Sequence, residues 1–65
     1  MSGAALSEEE IARGMLGRYR TAAIATEMAT WHAMDYPAES ENRARWLRIR
    51  ATIERLNKET KETRP

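Results

Sequence analysis

The densest run of reactive side chains in this chain is Trp31-His32-Ala33-Met34-Asp35-Tyr36. His32 and Asp35 stand three residues apart, the spacing at which two side chains meet on one face of a helix. A carboxylate beside an imidazole can orient it as a general base, but that chemistry needs a nucleophile or a substrate held within reach. No serine or cysteine motif accompanies the pair, the chain has one histidine, and it has no cysteine. The expected role is therefore structural, with His32 set against the negative end of its helix and Asp35 capping the next one.

Two acidic clusters, Glu8-Glu9-Glu10 and Glu39-x-Glu41, offer carboxylates to a metal. Di-metal sites in helical bundles take a Glu-x-x-His pair from an inward face, and here the residue three before His32 is Ala29. The chain carries no Gly-x-Gly-x-x-Gly turn, no Gly-Lys-Ser/Thr phosphate loop and no Gly-x-Ser-x-Gly elbow. These patterns lead us to expect no catalytic, metal or cofactor residues.

The basic side chains gather late in the chain. From Arg43 to Arg50 there are four arginines and no acid, and Arg55 follows. Such a cluster attracts phosphates or an acidic protein. At 100° per residue, Arg43 and Arg50 share one edge of a helix, Arg48 and Arg55 another, and Arg45 lies beyond the latter. The five therefore flank a stripe instead of forming one, and the formal net charge of the whole chain is only +1. Arg43, Arg45, Arg48, Arg50 and Arg55 are the candidates for polyanion binding, a nucleic-acid role being the alternative reading.

The elements that carry these side chains read as helices. The chain has 65 residues, no phenylalanine, three glycines and two prolines, a profile poor in the aromatic residues and turn glycines on which sheets depend. Ser7 and Glu10 form a Ser-x-x-Glu capping box, with Leu6 and Ile11 at the spacing of a hydrophobic staple. The break at Asp35-Tyr36-Pro37 ends this helix, because the residue before a proline avoids helical dihedrals and Pro37 suits the first position of another helix. The expected architecture is all-α: a leader at 1–6, a helix over 8–33, a turn at 34–36, a helix over 37–61 and a frayed tail at 63–65. Two helices joined by so short a turn form an antiparallel hairpin. That hairpin resembles in architecture the small dimeric RNA-complex-binding bundles of plasmid copy control, with no shared motif to carry residues across.

The apolar pattern separates the two helices. In the second, Asn42, Trp46, Ile49, Ile53, Leu56 and Thr60 follow alternating steps of four and three, a heptad seam with apolar residues at its centre. The first is apolar on two sides. A broad face of mostly small residues runs through Ile11, Ala12, Met15, Leu16, Tyr19, Ala22, Ala23, Thr26, Ala29 and Ala33, while Ile24, Met28 and Trp31 fall nearly opposite. Gly14 and Gly17 are either a tolerated weakness of the helix or the mark of a close helix approach. One facing helix cannot cover both stripes, and a core of this size is marginal alone. The second stripe therefore implies a partner, either another copy completing a four-helix bundle or a larger protein. Ile24, Met28, Trp31, Trp46 and Leu47 are the candidate partner-binding residues.

No apolar run is long enough to span a bilayer, and Met1 to Ser7 lacks the basic and apolar regions of a secretory signal. The expectation is a cytoplasmic, non-enzymatic interaction module: an adaptor, inhibitor or accessory subunit that binds itself or a larger protein and has no membrane contact.

Overall fold

Ser7 opens the first helix as its sequence anticipates: the Ser7 hydroxyl accepts from the Glu10 amide at 3.1 Å while the Ser7 amide donates to the Glu10 carboxylate at 2.8 Å. In the computed structural model, which describes residues 6–63, this helix ends far earlier than expected. The chain forms three helices, α1 (Glu8–Arg18), α2 (Ala22–Met34) and α3 (Glu41–Thr63). Apart from Leu6, the anticipated leader lies outside the described residues, as do the last two residues of the tail; Thr63 still belongs to α3.

The break falls at Tyr19–Thr21. Tyr19 turns extended, with φ −100° and ψ 153°, and its amide closes α1 on the Met15 carbonyl. Thr21 is extended too, and its hydroxyl accepts from the Ile24 amide at 3.1 Å, capping α2. A threonine cap satisfies one amide that a new helix leaves without an intrahelical partner, so the helix restarts at Ala22 after a break of three residues. Two helices of a hairpin are thus replaced by three, and a pair of copies would bring six helices together, not four.

The second boundary is also displaced. Pro37 does not begin α3; its carbonyl accepts from the Ser40 amide at 3.0 Å in a separate turn. Ser40 is the cap, taking the Arg43 amide on its hydroxyl at 3.1 Å and the Ala44 amide on its carbonyl at 3.3 Å. Asp35 instead closes α2, with helical dihedrals and its amide on the His32 and Ala33 carbonyls. Capping chemistry at Ser40 outweighs the suitability of Pro37 for a first helical turn, because the serine supplies both acceptors the new helix needs.

The three helices run up, down and up. The start of α1 lies beside the amino-terminal part of α3, where Leu6 meets Arg45 and Glu8 meets Arg48, and its end, at Leu16, shares a shallow groove with Leu56 and Thr60. α2 returns the other way, with Ala22 near Asn57, Thr30 near Arg50 and His32 against Trp46. α1 and α2 both pack on α3 and touch each other little. The molecule is accordingly flat, with principal extents of 41 × 32 × 17 Å.

The core follows the heptad seam of α3. Ile49, Ile53 and Leu56 are buried, Trp46 packs partly buried beside them, and Asn42 and Thr60 at the ends of the seam are exposed. α1 contributes Ala12 and Met15, and α2 contributes Ala25, Ala29 and Ala33. Ala25 was absent from the expected face, because the break at Tyr19–Thr21 resets the helical phase. Nothing lies within 4 Å of a Cβ built on Gly14 or Gly17, so these glycines mark no close approach.

Candidate interaction surface

α2 faces α3 with alanines, and its larger apolar side chains lie on the other sides. Around the helix at 100° per residue, His32, Met28, Ile24 and Trp31 follow one another outward from the buried line of Ala25 and Ala29. Burial falls off in the same order. His32 and Met28 are half-buried, Ile24 is 39% exposed and Trp31 is 66% exposed. Met34, at the end of the helix, is 67% exposed. An exposed tryptophan two turns from an exposed isoleucine is an apolar edge that the fold itself does not use.

A separate cleft lies between α1 and α2. Leu6, Ile11, Met15 and Tyr19 line one wall and His32 and Trp46 line the floor, enclosing about 320 Å³. The floor is rigid: the His32 and Trp46 rings stack with centroids 4.5 Å apart and planes inclined by 23°. Stacking of this kind explains why a histidine sits at the end of α2, a contact that joins two helices and leaves no trace in local spacing. The Leu6 side chain stays 60% exposed at the rim, so it shares the cleft with Ile11 without being buried against it.

Of the five residues expected to bind a partner, Ile24 and Trp31 share the free edge of α2. Met28 and Trp46 are drawn partly into the core, and Leu47 stands apart, 42% exposed on the outward side of α3. Met34, Tyr36 and Leu6 belong to the exposed apolar set and were not anticipated. Met34 and Tyr36 lie at a helix end and in a turn, where periodicity assigns no face.

The arginines divide between the two neighbours of α3. Arg48 donates bidentately to Glu8 and also reaches Glu41, at 2.8 Å and 3.0 Å for the shortest contacts. Arg55 reaches Glu9 at 3.4 Å, and Arg45 donates to the Leu6 carbonyl at 3.2 Å, so this edge clasps α1. On the opposite edge Arg43 donates to the Tyr36 carbonyl at 3.4 Å and Arg50 to the Thr30 hydroxyl at 3.5 Å, with Glu54 3.9 Å away. The two rows that flank the seam are thus each directed at one neighbouring segment. These pairs are half-exposed and screened by solvent, so they set register more than stability.

The amino-terminal glutamates are engaged in the same way. Hydrogen bonds from Arg48 hold Glu8 below the usual carboxylate range, and Arg13, with Arg55 nearby, does so for Glu9. The Glu8 carboxylate in turn raises the already high pKa of Arg48. Lowered carboxylate values mean that these links are present near neutral pH and are lost as the pH falls through those lowered values. Among the described residues, no three His, Cys, Asp or Glu side chains gather as a metal site and no buried residue is polar or charged; His32 and Asp35 are joined by the Asp35 amide donating to the His32 carbonyl at 3.2 Å and not through their side chains. No helix among them is long and apolar enough to cross a membrane. No family model, curated protein or solved structure matches the chain.

Proposed function

We propose that this chain is a cytoplasmic, non-enzymatic protein–protein interaction module that binds through the apolar edge of α2. One observation carries the reading: α2 spends its buried face on Ala25, Ala29 and Ala33 and holds Trp31 and Ile24 in solvent. Tryptophan is the side chain most enriched among the residues that dominate binding energy, and a protein this small gains nothing in its own core from one held outside. The engagement of Arg43, Arg45, Arg48, Arg50 and Arg55 with acceptors of their own chain supports an apolar surface over an electrostatic one.

The test is association of the full chain, with itself or with host proteins captured from a lysate, at low and at physiological salt, read by intact mass. Trp31→Ala should abolish capture while leaving the circular dichroism of the helices in place. Arg48→Ala combined with Arg55→Ala should weaken it far less. Loss of binding in the arginine pair alone, with a steep inverse dependence on salt and recovery of nucleic acid, would replace this reading with a polyanion-binding one.

A further inference from the structure

We infer that the occupant of the α2 edge is the α2 of a second copy, laid antiparallel about a twofold axis; the inference rests on the proposed function above and names its partner. The argument comes from the charges at the ends of the helix. α1 begins on Glu8, Glu9 and Glu10 and ends on Arg18, and α3 begins on Glu41, so both have acids where a helix carries its positive end. α2 is reversed. It has no acid in its first turn, Arg20 stands just before its cap, and Asp35 closes its far end, with His32 the only basic residue in the last turn.

Neither Arg20 nor Asp35 forms an ion pair among the described residues. Arg20 is exposed on the rim of an open polar groove whose other residues include Ala22, Thr26, Glu54 and Asn57. The two charges thus oppose the dipole of their own helix and have no ion-pair partner among the described residues.

A second α2 running the opposite way corrects both ends at once. Ile24 follows Arg20 by four residues and Asp35 follows Trp31 by four. The antiparallel register that sets Trp31 on Ile24 of the second copy brings the end of α2 that carries Arg20 to the end of the second α2 that carries Asp35, and each pairing occurs twice. Asp35 of one copy then lies at the positive end of the other α2, and Arg20 at its negative end. A twofold interface must be complementary to itself: here apolar residues meet apolar residues, and the two helix ends that come together carry opposite charges. One side chain resists this packing. Glu27, exposed near the middle of α2, comes close to its own twofold mate, so like charges meet at the axis.

These features make the test specific. Sedimentation equilibrium of the full chain over a concentration series should show a monomer–dimer equilibrium. Trp31→Ala should weaken it about thirtyfold or more. Arg20→Glu or Asp35→Arg alone should weaken it about tenfold, while Arg20→Glu combined with Asp35→Arg should return it to within about threefold of the native chain. Each single reversal should at the same time raise the thermal stability of the dilute monomer, because it corrects the helix end within the chain. Glu27→Gln should tighten the dimer. A chain that stays monomeric at every concentration overturns the inference, and so does a dimer indifferent to both Trp31→Ala and the charge reversals. If a monomeric chain still captures a host protein in a Trp31-dependent way, the interaction-module reading stands and only its partner is wrong. Loss of both results defeats the two together.

Discussion

α3 turns its large side chains inward, burying Ile49 and Ile53 completely, whereas α2 turns its alanines inward and leaves Ile24, Trp31 and Met34 exposed. Both helices face the same core. α3 has neighbours on two sides and serves as the wall against which α1 and α2 pack, so its stripe must fill space. α2 has to come close to that wall, and small residues let its backbone do so. Volume belongs on the helix that others surround, and the helix that lies alongside can carry its large residues on the outside, where they are available to something else. On the proposed function, stability and binding fall to different helices, and a substitution should affect one or the other.

The largest separation is expected within α3 itself. Ile53→Ala should destabilise by about 2–5 kcal/mol in urea melts, because a cavity replaces a fully buried side chain. Leu47→Ala, on the outward side of the same helix, should cost less than about 1 kcal/mol. Equal losses would mean that the inward face of α3 is misassigned.

Next comes the close approach of α2. Ala29 is completely buried, so Ala29→Leu should overpack the contact and cost about 1–3 kcal/mol. A neutral result by the same melts would show that the alanines do not set the distance between α2 and α3, and the contrast drawn above would lose its physical basis.

The smallest effect belongs to α1, and its sign is the informative part. An added Cβ at Gly14 meets nothing within 4 Å. Gly14→Ala should therefore stabilise the protein by about 0.5–1 kcal/mol through helix propensity alone. A loss in thermal melts would place a neighbour against α1 and make it a packing helix like α2.

The reach of sequence reading can be seen residue by residue. Ser7 and Glu10 specify their helix start because both hydrogen bonds of the box close within three residues. Ile49, Ile53 and Leu56 identify the core because a heptad stripe is a one-helix property. Thr21 and Ser40 were legible in principle, since both are favoured caps, but Thr21 lacks an acid three residues on and Ser40 follows a proline that offers a competing start. Missing Thr21 had the greater consequence. It joined α1 to α2 in a single phase, which left Ala25 out of the core and suggested an end-to-end rod where the chain in fact reverses. On the candidate surface, Ile24 and Trp31 were legible as a stripe left over after the seam was filled. Met28 and Trp46 were named with them, yet both pack in part against the core.

Local chemistry, then, is what the sequence by itself determined: the all-helical class, the amino-terminal cap, the inward stripe of α3 and the surplus apolar edge of α2. Each depends on residues within a turn or two of one another, where spacing and hydrogen bonding are the whole of the physics. Only the tertiary structure decided that α1 and α2 pack separately on α3, that His32 stacks on Trp46, and that Arg48 and Arg55 clasp α1 while Arg43 and Arg50 reach the other way. These are choices among alternatives of similar local energy. They are made by how much apolar area each packing buries against a helix more than a dozen residues distant, a quantity that local spacing does not contain.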